Sequence, residues 1–206
     1  MLIKSHHLNI ICNTCVGSAL YKFCLKQLYG NPFVWHYISF NEMYKLIENY
    51  NTLNYTNFNL IFDSNKYYHI IIDDCVDICY AHYRLDENIK TPTVIGPDLY
   101  YYDIGNLIIE KYKTRIKRFL ENKNKNNPIF MIASILPIQY YTEEEIDKIC
   151  KLCDGKYKLI IANKNIDLSN KYKNVKFIKT QYKDNEVENI EFAKKIYPEI
   201  QNYLYD

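Results

Sequence analysis

The chain has 206 residues, of which 48% are hydrophobic and 24% charged, and its formal net charge at pH 7 is +2. A chain of this length can bury the core of one α/β domain and is short for two, so we expect a single domain over residues 1–206. The nearly balanced charge gives no composition-based case for nucleic acid or a membrane surface as a partner, and we expect neither.

Two signals that would direct the chain to a membrane are missing from the sequence. No stretch approaches about 18 uninterrupted apolar residues, and the first residues lack the charged-then-apolar pattern of a signal peptide. We therefore expect a cytoplasmic protein, or one of the host cytoplasm if the source is viral.

The first predicted element is a strand that ends in a tight polar turn. Residues 8–12 are mostly apolar, residues 13–15 form the turn, and a helix is predicted over Ser18–Tyr29 with Gly30 as its C-terminal stop. The helical spacing places five apolar side chains on the inner face: Ala19, Leu20, Phe23, Cys24 and Leu28.

The middle of the chain is predicted to combine one helix with short strands. The aromatic-rich residues 31–38 are predicted as a loop leading into a second strand, and Asn41–Tyr50 as a helix capped at or near Ser39 or Asn41. Residues 86–103 are predicted to form a long loop. Three β-rich runs have a spacing that favours hairpins: Phe58–Phe62, Tyr67–Ile72 and Asp77–Tyr83.

The last hundred residues alternate helices with strands. The predicted elements are a helix Ile104–Asn122, a strand Pro128–Ala133, a helix Thr142–Cys153 with a Thr142/Glu145 capping box, strands Lys158–Ala162 and Val175–Ile178, and a helix Val187–Leu204. This alternation predicts an α/β fold with an open, mostly parallel, Rossmann-like sheet, helices on both faces and a β-hairpin and loop insertion in the middle. Ligands of such sheets bind beyond the carboxyl ends of the strands, where Cys15 and Ser134 would lie.

The cysteines are predicted to be thiols. There are seven, an odd number without a dense framework. Two C-x-x-C pairs, Cys12/Cys15 and Cys150/Cys153, lie near opposite ends of the chain, which disfavours zinc, and no metal is expected. A thioredoxin-type redox role for the first pair and a buried, inert Cys15 are the alternatives that remain.

Cys15 is the first candidate for chemistry because it precedes the predicted helix. The first N–H groups of a helix lack internal acceptors, so they favour a thiolate and can hold an oxyanion. The neighbouring residues predicted to bind substrate are Asn13, Thr14, Gly17 and Ser18. Among the five histidines, His82 is the best-placed base, because it ends a β-rich run beside a Pro/Gly loop.

A basic patch is predicted on the helix over Ile104–Asn122. Arg115 and Arg118 lie three residues apart and Lys111 lies one turn earlier, so all three can project from one side. Guanidinium groups in such a patch suit phosphate or carboxylate. A solvated helix face without a ligand is the alternative.

The order of four short blocks resembles a group of proteins found in bacterial capsule and exopolysaccharide gene clusters. The blocks are Asn13-Thr14-Cys15, Asn31-Pro32-Phe33, Ala81-His82-Tyr83 and 112–119 (YKTRIKRF). The group includes an uncharacterised exopolysaccharide-biosynthesis family, a family labelled papain-like cysteine peptidases, and a coenzyme A-binding capsule protein of acetyltransferase type. The resemblance implies that Cys15 is the family cysteine, His82 the family histidine, and Arg115 with Arg118 the paired basic positions.

Together these features predict an acyltransferase, with acetyl as the acyl group, that acts on a sugar or sugar nucleotide in glycan biosynthesis. Coenzyme A is the expected donor, Cys15 the nucleophile and His82 the general base. One alternative is a cysteine hydrolase, a peptidase or esterase that uses the same site. Another is a non-catalytic sugar-binding module, fused to or associated with a glycosyltransferase, in which Trp35 and tyrosines stack on sugars.

Overall fold

The structure is a computed structural model. It describes residues 9–26, 31–34, 36–65, 67–80, 104–124, 129–134, 142–163, 166–168, 170–179 and 186–205. The strands are β1 (Asn9–Cys12), β2 (Phe58–Phe62), β3 (Tyr68–Ile72), β4 (Val76–Cys79), β5 (Ile129–Ser134), β6 (Lys158–Asn163) and β7 (Val175–Lys179). The helices are α1 (Val16–Ala19), which continues as a π-helix over Leu20–Cys24, α2 (Phe40–Glu48), α3 (Ile104–Lys123), α4 (Glu143–Cys153) and α5 (Glu186–Tyr205).

The described strands form two sheets. Four parallel strands lie in the order β1-β5-β6-β7, with Cys12 opposite Ile132 and Ser134 opposite Ala162. Three antiparallel strands lie in the order β2-β3-β4. The sequence-based prediction of one open, mostly parallel, Rossmann-like sheet is therefore wrong.

The physical reason lies in strand pairing. β2, β3 and β4 are joined by short turns and pair with one another, so they form a sheet of their own instead of an insertion in a larger one. The described parallel strands are added in one direction, from β1 to β7, without the reversal of strand order that marks a Rossmann-like sheet.

Two apolar clusters cover the parallel sheet. One joins Ile10 and Cys12 of β1 and Ile160 of β6 to α1, the π-helix and α5. The larger cluster contains Ile11 of β1, the inward faces of α2, α3 and α4, and the inner face of the antiparallel sheet. The two sheets therefore share one core, in which α3 contributes Tyr112 and Phe119, both without exposed surface.

The helix that follows β1 differs from the predicted one. It begins at Val16 and changes to π geometry at Leu20, with the N–H of Leu25 bonded to the carbonyl of Leu20 at 3.0 Å. The wider π-turn buries Tyr21 and Leu25 and leaves Phe23 40% exposed, so the prediction that Phe23 faces inward is wrong. The predicted stop at Gly30 lies outside the described residues.

The other helices match their predictions closely. The side chain of Ser39 caps α2 by accepting a hydrogen bond from the N–H of Glu42. Thr142 and Glu145 form the predicted capping box at the start of α4. The inward residues of this helix include Cys150 and Cys153, neither of which has exposed surface. Local sequence patterns therefore define these helices correctly.

The second strand that is predicted to follow the loop of residues 31–38 does not form in the described residues 36–39. Their only β-type contact among the described residues is an isolated bridge between Tyr37 and Cys79. The segment instead lies along the outer edge of β1, where the side-chain amide of Asn31 donates to the carbonyl of Ile10 at 2.7 Å and the N–H of Cys12 donates to the carbonyl of Phe33 at 3.0 Å. It thus covers a strand edge that would otherwise be open.

Candidate functional site

Cys15 lies between β1 and α1, at the N-cap position of the helix. Its carbonyl oxygen accepts hydrogen bonds from the N–H groups of Ser18 and Ala19, each at 3.1 Å, whereas its side chain makes no capping bond. The residue is half-buried. Because the first N–H groups of a helix stabilise negative charge, this position suits a thiolate or the oxyanion of an acyl group.

The polar residues around Cys15 are buried and hold the turn. Asn13, Thr14 and Ser18 have at most 7% of their surface exposed. Ser18 donates from Oγ to the carbonyl of Cys15 at 2.7 Å, and Oγ1 of Thr14 accepts from the N–H of Val16 at 3.5 Å. These contacts give Thr14 and Ser18 a role in positioning Cys15, while their contact with a ligand stays a prediction.

Gly17 has a packing role in the structure. A Cβ atom at this position would lie 2.9 Å from Cγ1 of Val34 and 3.0 Å from Cβ of Cys12. Both distances are closer than side chains tolerate, so only glycine lets α1 approach β1 and residues 31–34 this closely. This packing explains why a glycine lies at position 17, and contact between Gly17 and substrate stays a prediction.

His36 is the described histidine that lies beside this turn. The N–H of Ile38, two residues further along, donates to the carbonyl of Asn13 at 3.2 Å, and the bonds of Asn31 and Phe33 fix the other end of the same segment. His36 is 2% exposed, and its ring stacks on Tyr80 with centroids 3.6 Å apart. The backbone on both sides of His36, at Phe33 and at Ile38, is thus bonded to the carboxyl end of β1 and the turn after it.

Arg115 is bonded to this imidazole. Its Nη1 lies 2.8 Å from Nε2 of His36. A guanidinium only donates, so Nε2 must accept, and the proton of the neutral ring is then on Nδ1. Nε2 is occupied by this bond, so His36 serves to hold Arg115 in place.

The basic face of α3 is placed as the sequence predicts. Lys111, Arg115 and Arg118 follow one another at helical spacing; Lys111 and Arg115 are half-buried and Arg118 is exposed. The bond to His36 ties Arg115 to the segment that covers the edge of β1. The arrangement could hold an anionic group such as a phosphate.

Of the three remaining predicted site residues, the structure describes Ser134. Ser134 is the last residue of β5 and lies at the same carboxyl edge as Cys15, since Cys12 and Ile132 are opposite each other in the register. His82 and Trp35 lie outside the described residues. The contact between His82 and Cys15 therefore stays a prediction.

Sequence reasoning missed the role of His36. His36 falls in an aromatic stretch, and such a stretch favours a satisfied core role for a histidine without indicating its partner. One signal could have found it: Asn31 and His36 are polar residues in a segment that is otherwise apolar and aromatic, and both make specific hydrogen bonds in the structure.

The antiparallel sheet also brings a cysteine and a histidine opposite each other. Cys79 lies opposite His69 in the register of β3 and β4, and Nδ1 of His69 is 2.7 Å from Asp77. Burial, together with the charges of Asp77 and Asp63, raises the pKa of the Cys79 thiol to about 11. A thiol with this pKa is protonated at neutral pH, so the pair is not suited to nucleophilic chemistry.

Burial also raises the pKa values of the two thiols of α4. It raises the pKa of Cys150 to about 12 and that of Cys153 to about 12. None of the seven cysteines, all of which lie in the described part of the chain, forms a disulfide. Cys150 and Cys153 therefore belong to the packing of the helix, because a spacing of three residues places both on its buried face.

In the part of the chain that the structure describes, no three His, Cys, Asp or Glu side chains are grouped so that they could hold a metal ion. No helix within it is long and apolar enough to cross a membrane.

Comparison with known proteins gives one match. Residues 1–92 match the family model of a domain of unknown function (DUF1919). The matched region contains Cys15, the segment with His36, α2 and the antiparallel sheet, and it ends before α3 and the rest of the parallel sheet. No curated protein and no solved structure matches the chain.

Proposed function

We propose that the protein is an acyltransferase in which Cys15 is the nucleophile, coenzyme A the acyl donor and a sugar or sugar nucleotide the acceptor. The single observation that carries the proposal is the position of Cys15, a half-buried cysteine at the N-cap of α1 whose side chain is not used for capping. At such a position the dipole of the helix favours the thiolate, which is the reactive form of the nucleophile.

The first step transfers the acyl group from the donor to the enzyme. The Cys15 thiolate attacks the carbonyl carbon of acetyl-coenzyme A, and the oxyanion forms near the first N–H groups of α1. The bond between the acyl carbon and the sulfur of coenzyme A then breaks, and coenzyme A leaves as its thiol after taking a proton. His82 is the proposed base and acid for these proton transfers, as the resemblance implies.

The second step transfers the acyl group to the acceptor. A hydroxyl or amine of the sugar attacks the thioester carbon of the acylated Cys15, loses its proton to the base, and releases the cysteine as thiolate. Arg115 is the proposed partner for phosphate groups of coenzyme A or of a sugar nucleotide. The bond from Arg115 to His36 supports this role, because it holds the guanidinium in one direction before a ligand arrives.

A turnover assay tests the proposal. The full chain is incubated with acetyl-coenzyme A and a panel of hexoses and sugar nucleotides, and both released coenzyme A and acetylated sugar are measured. We expect equal amounts of the two products, loss of both in Cys15→Ala, and unchanged rates in the control Cys79→Ala. Free acetate without acetylated sugar would identify the hydrolase alternative, and unchanged rates in Cys15→Ala would overturn the proposal.

A further inference from the structure

A cleft lies between the first turns of α2 and α4. Its volume is about 360 Å³, and its lining residues are Phe40, Asn41, Tyr44, Glu145 and Lys148. Small-molecule sites of this kind combine apolar or aromatic walls with a few polar groups that orient the ligand. The cleft is open to solvent on one side, since Asn41, Glu145 and Lys148 are exposed.

The cleft lies on the face of the parallel sheet that α2 and α4 cover. α2 begins two residues after Ile38, whose N–H is bonded to the carbonyl of Asn13 in the turn before Cys15. The α2 side of the cleft is therefore close along the chain to the residues that hold this turn.

We propose that this cleft binds a hexose ring that carries hydroxyl or amino groups and no carboxylate. The half-buried ring of Tyr44 offers aromatic carbon for the C–H face of a sugar ring, and Phe40, which is 4% exposed, forms the floor behind it. Asn41 supplies an amide that both donates and accepts, Lys148 supplies a donor, and Glu145 supplies acceptor oxygens. The binding of the sugar in this cleft does not depend on the proposed acyl transfer.

The charges around the cleft select against an acidic sugar. Glu143, Glu144 and Glu145 occupy the first turn of α4, and the nearby ammonium of Lys148 is paired with Glu144 at 3.3 Å. Hydrogen bonds from Thr142 hold the pKa of the Glu145 carboxyl below its usual range, so it is ionised at neutral pH. A ligand carboxylate would meet like charge here, whereas a ligand ammonium would gain a charge-assisted hydrogen bond.

Titration calorimetry of the full chain with glucosamine, glucose and glucuronic acid tests the proposal. We expect glucosamine and glucose to bind and glucuronic acid to bind at least about tenfold more weakly. Tyr44→Ala is expected to weaken glucosamine binding about tenfold, while Tyr44→Phe, which keeps the ring, binds as the wild type does. Equal binding by Tyr44→Ala, or no sugar binding by the wild type, would overturn the proposal.

A matched pair of charge variants tests the role of the carboxylate. Glu145→Gln keeps a side chain that completes the capping box but removes the charge, and Glu144→Gln removes the adjacent charge outside the lining. We expect Glu145→Gln alone to weaken glucosamine binding, by about fivefold, with melting temperatures similar in both variants. Equal glucosamine affinities in the two variants would contradict the assignment of Glu145.

Failure of this proposal can be told apart from failure of the proposed function. Cys15→Ala is expected to bind glucosamine with wild-type affinity, because Cys15 does not line the cleft. Sugar binding without any acylation of Cys15 would refute the acyl transfer and leave the sugar site standing. Acylation of Cys15 with no sugar bound in the cleft would support the acyl transfer and refute the sugar site.

Discussion

The guanidinium of Arg115 donates from Nη1 to Nε2 of His36 at 2.8 Å, and this bond links α3 to the segment that covers β1. The residues are far apart in sequence, and the bond determines which nitrogen of the buried ring accepts. It also stacks the imidazole in a fixed orientation on Tyr80. The relationship connects the basic face of α3 to the edge of the sheet at which Cys15 lies.

Replacement of His36 tests this link. His36→Ala removes a buried ring and the acceptor of a charged donor, so we expect the free energy of unfolding to fall by about 2–4 kcal/mol. His36→Gln, whose amide oxygen can accept from Arg115, is expected to lose less. Urea unfolding measures both variants, and an alanine variant as stable as the glutamine variant would show that the bond contributes nothing.

Gly17→Ala tests the close packing beside Cys15. The added Cβ would lie 2.9 Å from Val34 and 3.0 Å from Cβ of Cys12, so we expect a net loss of about 1–2 kcal/mol in the free energy of unfolding, despite the better helix propensity of alanine. Gly105→Ala is the matched control, because its Cβ would meet only Leu60, at 3.4 Å. That variant is expected to gain up to about 1 kcal/mol. Equal effects in both variants would contradict the packing role.

Asp147 gives the structure a predictable dependence on acid. Hydrogen bonds from Lys171, Tyr172 and Lys151 lower the pKa of its carboxyl below the usual range. Because the folded-state pKa is depressed, the carboxylate contributes its full stability above the unfolded pKa of about 3.9, and the contribution is lost as the pH falls below that value.

Asp147→Asn is therefore expected to lower stability at pH 7 and to approach the wild type as the pH falls below about 4. Thermal melts of both proteins across this range measure the difference. Asp154→Asn, which removes a carboxylate at the C-cap of the same helix, is the control. A stability difference that stays constant with pH would contradict the assigned hydrogen bonds.

The thiols are expected to differ in reactivity. Burial raises the pKa of Cys79 to about 11 and those of Cys150 and Cys153 to about 12, so these thiols are protonated at pH 7 and react slowly. We expect iodoacetamide to modify Cys15 before these three, as measured by peptide mass mapping of the folded protein at short times. Earlier modification of Cys79 would contradict the ranking.

The helices and hairpins could be predicted because their signals are local. Neighbouring residues define the capping box of Thr142 and Glu145, which the structure confirms. Helical spacing likewise places Tyr112 and Phe119 on one face of α3, and both are buried. The strand Phe58–Phe62 is confirmed at both ends. Each of these signals depends on residues within one or two turns of chain.

The arrangement of the sheets could not be predicted in the same way. β1 pairs with β5, more than half the chain away, and nothing in the local pattern of either strand specifies that partner. The aromatic-rich residues 31–38 are predicted to lead into a second strand, but hydrogen bonds from Asn31 and to Phe33 attach this segment to the edge of β1 instead. His36 was missed for the same reason, because its partner Arg115 is brought to it only by the tertiary fold.

The most direct test of the account is the intact mass of the protein after brief incubation with acetyl-coenzyme A in the absence of an acceptor. We predict a single added acetyl group on the wild type and on Cys79→Ala, and none on Cys15→Ala. An unmodified wild-type protein, or an equal adduct on Cys15→Ala, would contradict the claim that Cys15 is the nucleophile.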